Sequence, residues 1–236
     1  MMYAKLLKRP IDLILSLVAL VVLLPVMIIL AVVGAFAMKG NPLFIQPRVG
    51  RDGKIFNLLK FRSMTRDKDE RGEYLPDKVR LTEYGRRLRS TSLDELPQLI
   101  NILFGDMSIV GPRPLSVMDV VFMSEEQKRR HTVRPGLTGL AQANGRNSIG
   151  WEQKLEYDLR YIDSGITFPG DVRIILKTAV QVLNGKDTIR KGTACDMDLG
   201  DWLLSKGEID GDEYARKQAE AREILKARRP SQKCLN

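Results

Sequence analysis

Between Leu13 and Met38 the chain runs for 26 residues without a charged side chain. About 20 apolar residues suffice to span a bilayer as a helix. A secretory signal has an apolar region of only ~7–15 residues, so the run is too long for one. Pro25 stands near its middle. There it removes a backbone hydrogen bond and bends a helix. It divides the run into halves of about 14 residues, each about 21 Å long as helix and enough to enter one leaflet. Lys5, Lys8 and Arg9 precede the run, and Lys39, Arg48, Arg51, Lys54, Lys60 and Arg62 follow it. Basic flanks favour the cytoplasm, and here both flanks are basic. Pattern alone leaves two readings: a re-entrant hairpin turning at Pro25, and a proline-kinked transmembrane helix.

The rest of the chain is polar. Of 236 residues 44% are hydrophobic and 28% charged, which excludes wholesale disorder. A mean hydropathy of −0.18 excludes a polytopic membrane protein. Lys and Arg number 38 against 29 Asp and Glu, a net charge of +9, so an anionic partner is expected. Nucleic acid is the weakest candidate: aromatics make up only 6%, and no nucleic-acid motif is present. Cys195 and Cys234 are too few for a disulfide framework or a cysteine zinc site. His131, the only histidine, lies in the run Arg129-Arg130-His131 and reads as a solvated residue. Acid–base or nucleophilic work therefore falls to carboxylates. Asp196-Met197-Asp198 begins like a calcium loop, but the twelfth position is Gly207, which excludes one.

Residues 41–64 read as a β-hairpin about Gly50-Arg51-Asp52-Gly53, since Asp-Gly is a strong turn signal. Lys60 and Arg62 alternate with Phe61 and are expected on one face. Residues 81–89 form a short helix ending in Arg86, Arg87 and Arg89. Residues 92–104 form the next, with Ser92 as N-cap and Glu95 completing a capping box. Asp94, Gln98 and Asn101 share a face of it. An Asp in a first helical turn is held ionised by the dipole, which suits a nucleophile. Taken alone, Asp94-Glu95 reads as an ordinary helix start. Gly111-Pro112-Arg113-Pro114, Arg134-Pro135-Gly136 and Asn144-Gly145-Arg146 are three stiff loops bearing arginine, a pattern that suits oxyanion recognition. Helices are expected over 151–162 and 171–183, with a helical hairpin over 199–206 and 213–228.

These residues carry a resemblance. Lys8-Arg9-Pro10-Ile11-Asp12, Gln46-Pro47-Arg48-Val49-Gly50, Lys60-Phe61-Arg62-Ser63-Met64, Ser92-Leu93-Asp94-Glu95-Leu96-Pro97-Gln98, Asp106-Met107-Ser108-Ile109-Val110-Gly111-Pro112-Arg113-Pro114, Arg134-Pro135-Gly136-Leu137-Thr138-Gly139 and Asn144-Gly145-Arg146 follow in order over about residues 5–185. The chain resembles the bacterial sugar transferases, small monotopic phosphoglycosyl transferases acting on polyprenol phosphate. One detail departs from the pattern: the residue before the membrane proline is Leu24, where the family carries Ser.

The resemblance implies that Asp94 attacks the β-phosphorus of a UDP-sugar, expels UMP and carries the phosphosugar to polyprenol phosphate. It implies that Glu95 holds Mg²⁺. Lys60, Arg62, Arg89, Pro112, Arg113, Pro114 and Arg146 are then expected around the nucleotide and phosphates. Asp158 and Asp171 fall at family positions without a derivable role. The implied fold is α+β and mainly helical. It comprises a re-entrant membrane helix-hairpin broken at Pro25 (residues 1–40), a cytosolic catalytic domain with a short β-hairpin and interfacial helices (41–190), and a C-terminal helical extension (191–236). The extension resembles a short oligomerisation module; a solvated tail is the alternative. The expected location is the cytoplasmic face of a bacterial inner membrane, with membrane lipids and a second copy of the chain as further partners. The competing readings are a non-catalytic binder of anionic lipid or nucleic acid, and a glycosyltransferase that releases UDP.

Overall fold

The computed structural model describes residues 2–145, 149–183 and 197–228. Arg146, Cys195 and Cys234 lie outside the described residues.

The apolar run is helical throughout. Residues Tyr3–Leu7 form a π-helical turn, and α1 (Lys8–Ala37) continues it through Pro25. It is the one described helix long and apolar enough to cross a membrane. The expected break into two helices is absent. Proline removes a single ladder bond, to the Val21 carbonyl, and Pro25 lies on the exposed side. The opposite side is held along its whole length. Asp12, Ser16, Met27, Gly34 and Met38 are buried, and Leu20, Leu23 and Ala31 pack between them. Steps of three and four residues keep these positions on one face. Most of the remaining apolar surface of α1, from Ile14 to Phe36, is exposed.

The basic flank docks this helix. Lys8 Nζ lies 2.5 Å from Asp171 Oδ2. Arg9 donates to the carbonyls of Ile102 (2.7 Å) and Leu103 (3.1 Å), which end a helix and attract cations. Asp12 accepts from Ser108 Oγ at 2.6 Å and from the Ile109 N–H at 3.2 Å. Lys8 and Arg9 are thus engaged by the protein rather than by lipid head groups.

Strands β1 (Leu43–Val49) and β2 (Ile55–Phe61) form the expected antiparallel hairpin, with Phe44 opposite Lys60 and Arg48 opposite Phe56. Asp52 and Gly53 supply its left-handed turn. Then follow α2 (Asp77–Arg80), α3 (Glu83–Thr91), a 3₁₀ turn Leu93–Glu95 and α4 (Gln98–Phe104). Strand β3 (Ser108–Val110) pairs in parallel with β4 (Gly136–Thr138) across α5 (Val117–Val120) and α6 (Glu125–Lys128). Helices α7 (Trp151–Asp163) and α8 (Phe168–Leu183) complete the expected pair. Beneath α1, Phe56, Leu58, Leu99, Ile102 and Met107 form one buried cluster.

The described part of the C-terminal segment, residues 197–228, packs on the domain. Helices α9 (Leu199–Lys206) and α10 (Gly211–Arg228) close on Phe122, Met123, Trp151 and Leu155. Trp151 Nε1 donates to the Met197 carbonyl at 2.9 Å, and Asp119 Oδ1 receives the Leu199 N–H at 3.0 Å. Ala221 is fully buried against Val49 and Val117.

Candidate functional site

The predicted helix over 92–104 is divided by Pro97, whose missing N–H cannot close the ladder. Ser92 adopts a left-handed conformation (φ 58°, ψ 17°), its side chain makes no cap bond, and a single 3₁₀ turn precedes α4. The capping box therefore does not form. Freed from that role, the Glu95 carboxylate turns to two cations. Arg113 Nη2 donates to its Oε1 at 2.8 Å, and Lys60 Nζ lies 3.6 Å from the same oxygen.

Asp94, beside it, is buried. Burial first, and the Glu95 charge second, push its carboxyl up to about 6; Lys60, Arg113 and Arg89 oppose that rise. The helix-dipole expectation had the opposite sign. One 3₁₀ turn has no macrodipole to speak of, and burial dominates. At neutral pH Asp94 is still mostly ionised. Burial also lowers the Lys60 ammonium, an effect that Glu95 offsets.

The other expected residues separate into two groups. Lys60, Arg89 and Arg113 surround the two carboxylates. Arg89 is half-buried and donates from Nε to Ser63 Oγ at 2.9 Å. Gly85 permits this approach, because a Cβ there would stand 1.9 Å from the Ser63 carbonyl oxygen. Pro112 and Pro114 are buried and stiffen the loop that presents the exposed Arg113. Arg62 is not part of this group. The strand ends at Phe61, and Arg62 turns to the Leu43 carbonyl at 3.0 Å. Arg134 is absent from the site as well. Its Nε donates to the Gly105 carbonyl at 2.8 Å, closing the end of α4. Asn101 bonds the Asn57 carbonyl and the Leu59 N–H along the open edge of β2, and so is structural.

Four further residues, Arg130, Asp158, Asp171 and Arg48, have roles that the sequence alone did not supply. Arg130, within a charged run, is buried at 2% exposure. It donates to Asp158 Oδ2 from Nε (3.0 Å) and from Nη2 (2.6 Å), and Nη2 also meets the Arg113 carbonyl at 2.6 Å. Asp158 thereby fixes the loop that carries Arg113. Asp171 accepts from Tyr3 Oη at 2.8 Å and from Tyr161 Oη at 2.8 Å besides pairing with Lys8, so it docks α1. Arg48 lies on the hairpin face that carries Lys60, its field reaching Glu95 and Arg113. Its Nε is buried with no hydrogen-bond partner among the described residues. Period-two alternation from Lys60 back across the turn was the signal for it. His131, read as solvated, is held down to about 4 by burial and by Arg130.

Among the described residues no three metal-binding side chains cluster. Mg²⁺ does not require three. It binds through one or two carboxylates, with waters and substrate phosphates completing the shell. Two adjacent carboxylates whose repulsion raises one proton affinity fit a dication that would relieve that repulsion.

A profile of the family described as bacterial sugar transferase matches residues 3–185. The chain is 50% identical over 158 residues to an uncharacterized sugar transferase, EpsL of Bacillus subtilis, covering 66% of this chain and 78% of that protein. It is 42% identical over 186 residues to the UDP-glucose:undecaprenyl-phosphate glucose-1-phosphate transferase of Klebsiella pneumoniae, covering 72% of this chain and 39% of that one. It is 36% identical over 198 residues to the undecaprenyl-phosphate galactose phosphotransferase of Salmonella typhimurium, covering 76% and 41%. The chain thus spans about two fifths of these two longer relatives.

Proposed function

The chain belongs to the bacterial sugar transferase family, and from that premise we propose that it moves a sugar-1-phosphate from a UDP-sugar to polyprenol phosphate at a membrane surface. The observation that carries this reading is the buried Asp94, set between Glu95 and the cations Lys60, Arg89 and Arg113. Phosphoryl transfer is mostly positioning and charge neutralisation, and this site supplies both.

In the first half-reaction a carboxylate oxygen of Asp94 attacks the phosphorus bearing the sugar. The bond from that phosphorus to the bridging oxygen breaks, and UMP leaves with the electron pair. Asp94 then carries the phosphosugar as an acyl phosphate. In the second, an oxygen of polyprenol phosphate attacks the same phosphorus, and Asp94 departs as carboxylate. Each half forms one P–O bond and breaks one. Arg113, held by its prolines and by Arg130, faces the nucleotide side, while Lys60, Arg89 and Arg48 offset phosphate charge. Arg146 is assigned to the phosphates on the resemblance alone. Glu95 with Asp94 would hold Mg²⁺, which when bound supplies further countercharge on the diphosphate.

The continuous apolar face of α1, opposite the face packed on the domain, supports a monotopic placement with α1 lying in one leaflet. The acceptor phosphate and Asp94 would then share the cytoplasmic interface. The deciding experiment incubates the chain with a UDP-sugar panel, Mg²⁺ and undecaprenyl phosphate and identifies the nucleotide product. UMP is expected; release of UDP would refute the proposal in favour of direct glycosyl transfer.

A further inference from the structure

A second basic cluster lies where α1 ends. A cavity of about 290 Å³ is lined there by Met38, Lys39, Asn41, Arg62, Arg66 and Asp67, among others. It shares no lining residue with the Asp94 site. Arg62 is buried, whereas Lys39 and Arg66 are exposed. None of the three cations has a carboxylate within ion-pairing distance among the described residues. The one carboxylate in the lining, Asp67, accepts from Thr65 Oγ1 at 2.6 Å. Burial and the neighbouring Arg66 push the Arg62 guanidinium down, and Tyr74 opposes them.

The backbone holds Lys39 at this rim. Its φ is +49°, a left-handed conformation that glycine adopts without cost, and Gly40 stands next to it. The helix closes around Lys39 through Lys39 N–H to the Phe36 carbonyl (3.2 Å) and Gly40 N–H to the Ala35 carbonyl (3.0 Å). This is the common left-handed cap of a helix C-terminus, and it fixes where the Lys39 backbone lies. The flanks are apolar. Phe36 is 81% exposed at the end of α1, and Leu43, Phe44 and Ile45 are exposed at the start of β1. Cations without a carboxylate partner, of which Arg62 also donates to the Leu43 carbonyl, lie between two exposed apolar surfaces and match an anionic head group whose tails stay in hydrocarbon.

We propose that this cavity binds the phosphate of a membrane phospholipid, with Lys39, Arg62 and Arg66 as its cationic lining and the acyl chains along Phe36 and residues 43–45. The proposal rests on the membrane placement of α1 and not on the transfer chemistry. Such a bound lipid would fix the depth at which the domain sits.

The test uses the full chain in detergent, titrated with phosphatidylglycerol or phosphatidylcholine and read by native mass spectrometry. Wild type should retain phosphatidylglycerol preferentially. The variant Lys39→Gln/Arg66→Gln, altered only at exposed positions, should bind it at least tenfold more weakly. A charge-matched control, Arg222→Gln/Lys226→Gln, should bind as wild type does. Equal retention by wild type and the cavity variant would overturn the proposal, as would equal loss in the control. Displacement by inorganic phosphate at matched concentration would also overturn it, as a site for free phosphate. Flotation with pure phosphatidylcholine vesicles separates the premise from the proposal: failure to float refutes the membrane placement, whereas flotation without phosphatidylglycerol preference refutes the cavity alone.

Discussion

Arg130 and Asp158 form an ion pair inside the domain, with 2.6 Å between Nη2 and Oδ2 and both side chains at 4% exposure or less. The same Nη2 donates to the Arg113 carbonyl, so the pair reaches the loop that meets Glu95. Removing one member leaves a buried charge uncompensated, which costs about 3–5 kcal/mol. Asp158→Ala should lower stability by that amount in chemical denaturation. The double variant Arg130→Met/Asp158→Leu should recover most of the stability, because apolar residues of similar volume replace buried pairs at little cost. It should not recover turnover, since the bond to Arg113 is gone. Stability and activity returning together would remove Arg130 from any positioning role.

Asp94→Asn should separate function from stability in the opposite direction. Burial holds the Asp94 carboxyl at about 6, above its ordinary 3.8. For an acid, that shift means the folded state binds the proton more tightly than the unfolded state. Ionised Asp94 therefore lowers folding stability, and the loss develops as pH rises from about 4 to about 6. A neutral amide avoids the penalty. The variant should be more stable than wild type at pH 7 by about 3 kcal/mol and nearly equal to it near pH 4. Turnover and the covalent phosphosugar adduct should both vanish. Thermal unfolding at the two pH values, with intact mass measured after UDP-sugar addition, checks both.

The same shift sets a pH profile. Attack requires the Asp94 carboxylate, so the rate of adduct formation without polyprenol phosphate should fall as pH drops through about 6. Raising Mg²⁺ should move that limb to lower pH, because a dication favours the charged form. A single-turnover profile flat from pH 5 to pH 8 would argue against Asp94 as the group that must ionise.

Local chemistry made part of this molecule legible in advance. The hairpin followed from Asp52-Gly53, α7 and α8 from apolar spacing, and α9 and α10 from the charge split about residues 207–212, within about three residues at each end. Asp94, Glu95, Lys60, Arg89 and Arg113 came from motif residues, and the structure gathers them. What failed depended on partners distant in sequence. Strands β3 and β4 have three residues each, too few for any period, and pair across 25 intervening residues. Arg130 sits in a polar run, Arg129-Arg130-His131, that gives no sign of burial, yet Asp158, 28 positions on, draws it inside. Ser92 and Glu95 satisfied a capping pattern that Pro97 and Lys60 override. Alternation placed Arg62 with Lys60, but the strand stops between them.

The approach of α3 to Ser63 offers a last test that a single methyl group can make. Gly85 lies against the Ser63 backbone, and an added Cβ would fall 1.9 Å from its carbonyl oxygen and 2.8 Å from its Cα. Backbone cannot yield as a side-chain tip does, so Gly85→Ala must push α3 away from residues 61–63. Overpacking of this kind costs about 1–3 kcal/mol. The catalytic effect should exceed what that loss alone explains, because Arg89 rides on the same helix one turn later and reaches Ser63 Oγ from it. Turnover by the folded fraction should fall at least tenfold. Gly150→Ala is the control, since a Cβ there meets nothing within 4 Å and its φ of −71° suits alanine. If Gly85→Ala lowered stability but left turnover per folded molecule unchanged, the spacing between α3 and Ser63 would not govern the placement of Arg89.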